Sequence, residues 1–269
     1  MVNINNKKLL IVLPLLALML FVGAVSFRWM LADVYQLQAK RYIKRWESAG
    51  VAEALPRWQR AHVLITRAAA LHQTNPVIQH NLGRIYEWYG FVPDKNAVDL
   101  KQHLRAAEAA YVHATQIRPT YPISWSGLAM VKARRWSIDE QFAMAIDKVR
   151  ELGPYETNAR LQAVTAGLYA WPALTPATKN SLMELLILGL DRDATVFFKR
   201  AEQAGRIRVL CAELQRLSDN GEQTFSHIIA PYAKSRFSGK SALIDIVGNP
   251  VVASQCRDFL PLAVQGDSL

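Results

Sequence analysis

The chain has 269 residues, of which 51% are hydrophobic, and a formal charge of +10 from 32 basic against 22 acidic side chains. That is ample material for the core of one large domain or two small ones. No recognised nucleic-acid motif accompanies the basic excess, which argues against a nucleic-acid partner.

Residues 1–8 form a short basic tail containing Lys7 and Lys8, and residues 9–28 read as a transmembrane anchor. Leu9 to Phe27 contains no charged residue. At ~1.5 Å per residue such a run spans roughly 28 Å, close to the thickness of bilayer hydrocarbon. A cleaved signal would have a shorter apolar core and a better small-residue site than Ala24-Val25-Ser26-Phe27. No cysteine near the end of the run suggests a lipoprotein. Arg28, Lys40, Arg41, Lys44 and Arg45 follow the span; counted strictly, they would keep the following domain in the cytoplasm. A short basic N-terminal tail usually stays inside, however, and long domains translocate whatever their charge. The expected side is therefore extracytoplasmic. Lys40/Lys44 and Arg41/Arg45 are pairs four residues apart, so they make a membrane-proximal basic stripe on one helix face. Such a stripe is either a solvated face or a contact for anionic lipid.

From Ala32 to about Leu217 apolar residues recur at three- and four-residue steps, with almost no hairpin signals. The spacing predicts helices over Ala32–Trp46, Leu55–Gln73, Val77–Tyr89, Leu100–Ile117, Ile123–Arg135, Ile138–Glu151, Glu156–Ala170, Pro176–Gly189, Asp193–Ala204 and Arg206–Leu217. Glycines and prolines punctuate them, and the short connections make neighbours antiparallel. Pro119 and Pro154 are 35 residues apart, and Pro76 and Pro119 are 43 apart. A helix hairpin of about 34 residues is the tetratricopeptide (TPR) period. The longer interval becomes nearly regular if Gly90–Val98 is an inserted loop.

Residue types at fixed offsets support that period. Trp125, Leu128 and Ala129 match a TPR first helix, where a small residue lets the second helix come close. Ala107, Tyr111, Ala114 and Pro119 match the second helix of the preceding unit, which opens with Leu82, Gly83 and Tyr86. The unit after is degenerate, with Phe142 and Ile146 at the second-helix positions. The expected fold is all-α: one transmembrane helix, then a TPR-like antiparallel helix-hairpin array (an α-solenoid) over 32–217. Residues 218–269 would be a helical capping tail that covers the last apolar face.

Trp125, the turn ELGPYE (Glu151–Glu156) and the segment GLYAWPAL (Gly167–Leu174) go beyond a general TPR pattern. Together they resemble the VpsP family of membrane-anchored exopolysaccharide (biofilm matrix) biosynthesis proteins, over roughly Ala32 to Leu217. The resemblance implies a bacterial, membrane-anchored accessory scaffold, which with the extracytoplasmic side expected above makes a single-pass inner-membrane protein with a periplasmic helical domain. Its partners would be proteins of a polysaccharide synthesis or export complex. It carries over no catalytic residue and no cofactor. The competing readings are an anchored TPR adaptor for cytochrome maturation, secretion or division, and a polysaccharide-binding or polysaccharide-modifying protein.

A search for chemistry supports the non-catalytic reading. Ser238–Ser241 reads SGKS, but a phosphate loop needs glycine five residues before Gly239, and that position is Lys234. His62, His72, His80, His103, His113 and His227 form no pair at zinc spacing within one helix, and Cys211 and Cys256 are 45 apart. The two cysteines fit either one disulfide or two buried thiols. Asp139 and Glu140 read as partners of a helix N-terminus, and Glu151 and Glu156 flank a turn. Core packing is the expected role of each tryptophan, Trp125 and Trp171 between helices; for Trp88 and Trp136, near the ends of first helices, the alternative is partial exposure in a groove. The protein-binding face of the array is expected to carry Asn81, Arg84, Tyr86, Lys132 and Arg135, all on first helices.

Overall fold

The computed structural model describes residues 6–93 and 95–219. Among them every regular element is helical, and the chain forms two compact units that part between Pro119 and Thr120. Most of the expected tail, with Cys256 and the SGKS segment, lies outside the described residues.

The first unit holds α1 (Asn6–Ala49), α2 (Leu55–Leu71), α3 (Pro76–Trp88), a 3-10 turn over Tyr89–Phe91, and α4 (Ala97–Ile117). The expected anchor and the expected first domain helix are one element, because nothing between Gly23 and Gly50 breaks a helix. At ~1.5 Å per residue, α1 is about 66 Å long. Its sequence changes character along that length. Apart from half-buried Val25, the large apolar side chains between Val12 and Met30 stand 49–73% exposed, whereas Ala32, Ala39, Ile43 and Trp46 are fully buried. Among the described residues one helix is long and apolar enough to cross a membrane, and its inner end is also core of the unit. Gly50 ends it in the left-handed region, φ 72°, which a side chain would strain.

The following starts are written in the sequence. Asn75 caps α3, its Oδ1 accepting from Val77 N–H at 3.0 Å and Ile78 N–H at 3.3 Å. Asn96 caps α4 by accepting from Val98 N–H at 2.8 Å. Each cap satisfies donors that a helix start leaves open. α1 and α2 run antiparallel: Arg28 donates to Leu71 O at 3.3 Å at one end, and Arg45 lies 3.8 Å from Glu53 at the other. α3 packs against α1, α2 and α4. Its approach to α4 is close because position 83 has no side chain. A Cβ on Gly83 would lie 2.9 Å from the Tyr111 ring.

The second unit holds α5 (Pro122–Arg135), α6 (Glu140–Leu152), α7 (Thr157–Ala170), a 3-10 turn over Trp171–Ala173, α8 (Pro176–Ile187), α9 (Leu190–Gln203) and α10 (Ile207–Asp219). Here α5 packs on α6 and α7, α6 on α8, and α7 on α8 and α9. The polar links between next-neighbour helices have nearly constant sequence separation. Ser126 donates to Gln162, 36 residues on, Ser181 bonds Asp147 across 34, and Arg150 reaches Glu184 across 34. Arg160 pairs with Asp193 across 33. Trp125 and Trp171 are buried, and Phe142 and Ile146 are fully buried on α6. Cys211 is buried on α10.

Candidate functional site

The first unit gathers aromatic and imidazole rings from four elements. On α2, Trp58 and His62 are one turn apart and share a face, and their rings stack at 4.9 Å with 9° between planes. α3 contributes Tyr86, the 3-10 turn contributes Tyr89, and α4 contributes His103. His103 lies 4.7 Å from Trp58, 4.3 Å from Tyr89 and 5.8 Å from Tyr86, ring centre to ring centre. His62 is 5.0 Å from Tyr86 and 6.4 Å from His103.

The cluster has a floor and a rim. Trp58 and Tyr89 are buried, while His62, Tyr86 and His103 are half-exposed. The floor is tied to backbone and to α4. Trp58 Nε1–H donates to Ile85 O at 2.7 Å, Tyr89 hydroxyl to Asp99 at 3.4 Å, and Asn96 N–H to the Tyr89 hydroxyl at 3.3 Å. The segment 90–98, expected as an inserted loop, is thus part of the unit's packing. Val92 is buried, and Ala52 N–H donates to Phe91 O at 3.1 Å.

Burial, and then the charge of His103, pushes the His62 imidazole below its ordinary range. Burial also lowers His103, against the pull of Asp99 in the other direction. Burial raises the Tyr86 phenol. At neutral pH the rim therefore presents uncharged rings, each imidazole offering one donor and one acceptor. Flat neutral π surface edged by weak polar groups suits an apolar or aromatic side chain of a partner, or the C–H face of a sugar. Among the described residues, no group of three or more His, Cys, Asp or Glu side chains could hold a metal ion.

Of the residues expected on a partner-binding face, only Tyr86 belongs to this cluster. Asn81 is 3% exposed, because α3 is flanked by three helices and keeps little free surface. Arg84 is committed to an ion pair with Glu47 on α1. Lys132 is 2% exposed, its ammonium 2.7 Å from Asp139, the N-cap of α6. Arg135 is half-exposed near the end of α5 in the second unit. Asn81 and Lys132 therefore present no surface to a partner. Burial tends to raise the Asp139 carboxyl, but hydrogen bonds from Lys132 and Phe142 N–H outweigh it and hold the group low. Trp136 is 59% exposed and Trp88 half-buried, so Trp136 departs from the core packing expected of it and takes the alternative of an exposed ring.

Lys40, Arg41, Lys44 and Arg45 are all exposed on α1. Continuity of the helix changes what they can reach. They lie 12 to 17 residues beyond Arg28, about 18–26 Å along the axis. On an upright helix that is more than a Debye length of ~8–10 Å above the headgroups. If α1 spans a membrane upright, that distance favours the solvated-face reading of the stripe over a lipid contact.

Sequence reading missed Trp58, His62, Tyr89 and His103. The signals were the four-residue spacings Trp58/His62 and Asp99/His103, which put each pair on one helix face. A search for histidine pairs within one helix cannot find partners contributed by two.

His80, buried on α3 with its ring 5.4 Å from that of Tyr111, has a separate consequence. Burial, with the Arg84 charge second, pushes its imidazole down to about 3. The unfolded chain takes up that proton near pH 6.5 and the folded chain does not, so stability contributed at neutral pH is lost as pH falls below 6.5. The expected slope is about 1.4 kcal/mol per pH unit from this group. Denaturation followed between pH 7 and 4.5 should show it, and His80→Gln should flatten it.

No protein-family model, curated protein or solved structure was found to match this chain.

Proposed function

We propose that this protein is a membrane-anchored, non-catalytic helical scaffold that holds a segment of another envelope protein against the ring cluster of its first unit. The observation that carries the reading is α1. Its exposed apolar half and its buried half are one uninterrupted helix, so membrane position is transmitted directly into the domain core. The array is of the TPR kind. Three features support that: the close Gly83–Tyr111 approach, next-neighbour packing in each unit, and polar links 33 to 36 residues apart in the second. The machine it serves is exopolysaccharide synthesis or export, on the strength of the residues Trp125, Glu151–Glu156 and Gly167–Leu174. The helical domain faces the periplasm, which a reporter fused after Leu269 and active only outside the cytoplasm would test.

The docking face is tested by photo-crosslinking in native membranes. A photoreactive residue at position 86 or 103 should give one discrete protein adduct, and the same residue at exposed position 202 should not. Equal labelling at all three positions, or none at 86 and 103, would overturn the docking face.

A further inference from the structure

At the end of the apolar run, the turn after α2 closes a recess of about 230 Å³ against α1. Val25 and Leu71 form its apolar side, and Arg28, Trp29, His72, Gln73 and Thr74 the remainder. Trp29 stacks on His72 at 4.8 Å with 8° between the planes, which joins α1 to the turn across the recess. Arg28 spends one contact on Leu71 O at 3.3 Å; a guanidinium has five N–H donors, so most stay available. His72 Nδ1 is buried without a hydrogen-bond partner. No acidic side chain lines the recess, and Asp33, one turn beyond Trp29 on α1, is the carboxylate nearest to it along that helix. The first acidic residue of the chain is Asp33, and none occurs between Glu53 and Glu87, a stretch covering all of α2 and the turn. Arg67, one turn before Leu71, lies over the Tyr35 ring at 5.9 Å.

We infer that this recess binds the phosphate of an anionic membrane phospholipid, with Arg28 as its cation and the polar side chains of the turn closing round it. The inference rests on the anchored reading of α1. Given that reading, position selects the ligand. Leu9 to Phe27 fills the hydrocarbon, so the Arg28 guanidinium and the Trp29 ring fall at the level where phosphates and interfacial tryptophans sit. A guanidinium matches a phosphate with two parallel donors, and no carboxylate lines the recess to compete for it. A zwitterionic headgroup would bring its own cation to the same place and bind less well. The site lies where α1 leaves the membrane and α2 returns to it, so an occupied recess fixes the tilt of the domain as well as its attachment.

The test is native mass spectrometry of the full chain released from detergent with phosphatidylglycerol, phosphatidylcholine or inorganic phosphate. The wild type should retain one phosphatidylglycerol, with phosphatidylcholine about fivefold lower and no free-phosphate adduct. Arg28→Gln should lose about fivefold of the phosphatidylglycerol adduct, and Thr74→Val should lower it while leaving Arg28 in place. Carbonate-resistant membrane association of both variants separates this site from the anchor. Loss of association in the wild type would overturn the anchored reading and the site with it. Firm association with equal retention by wild type and Arg28→Gln would overturn the site alone, and retention of free phosphate would show an anion site with no lipid selectivity.

Discussion

Asp193→Ala is expected to loosen the second unit more than any other single change to a partly exposed residue. Arg160 on α7 is fully buried. Its guanidinium donates to Pro154 O at 2.8 Å and pairs with Asp193 on α9. The fold is built around that side chain: a Cβ on Gly189 would come within 2.5 Å of Arg160 Nε. Removing the carboxylate leaves a buried cation without its counter-charge, which costs about 3–5 kcal/mol. Amides of α7 and α9 should exchange with solvent faster by a corresponding factor, read peptide by peptide because a chain of two units need not unfold in one step. Replacing both partners with apolar residues of similar size, Arg160→Met with Asp193→Leu, should recover most of the loss. If Asp193→Ala leaves α7 and α9 protected, the ion pair is not what joins them.

Gly83→Val should open the first unit at α3 and α4. The Tyr111 ring occupies the space a side chain would need, at 2.9 Å. That ring is itself held, its hydroxyl donating to Glu87 on the next turn of α3. Forcing the helices apart costs about 1–3 kcal/mol by overpacking. Gly83→Ala is the informative comparison. In an unconstrained helix it would stabilise by roughly 0.5–1 kcal/mol, so a net loss would report the close approach directly. Faster exchange confined to α3 and α4 is the expected result, and an unchanged or stabilised Gly83→Ala variant would contradict it.

These two sites differ in how far they can be read from sequence. Gly83 is legible, because Leu82, Gly83 and Tyr86 on one helix and Ala107, Tyr111 and Ala114 on the next sit at offsets that only close packing explains. The helix starts are legible too: caps such as Asn75 and Asp139 act within three residues of themselves. Arg160 is not legible. A charged residue four positions into a helix reads as surface, and its burial is decided by a partner 33 residues away. Asn81 and Lys132 fail for the same reason, since helix periodicity marks an apolar stripe but not how many neighbours cover the remainder. The fusion of anchor and domain helix was hidden by the change in hydropathy after Arg28, which alters the solvent around a helix without breaking it. The ring cluster needed α2, α4 and the Tyr89–Phe91 turn placed together, and no local pattern specifies that placement.

The central claim is an anchored scaffold that serves polysaccharide assembly, and one measurement tests it most directly. The gene is deleted in its own host and complemented either with the full chain or with a chain lacking residues 1–28. Secreted and cell-bound polysaccharide are then quantified. Loss of polymer on deletion, restored by the full chain and not by the equally abundant anchorless chain, is the result this account predicts. Unchanged polysaccharide in a host known to make it would contradict the assignment to that machine, and full rescue by the anchorless chain would contradict the anchored mechanism.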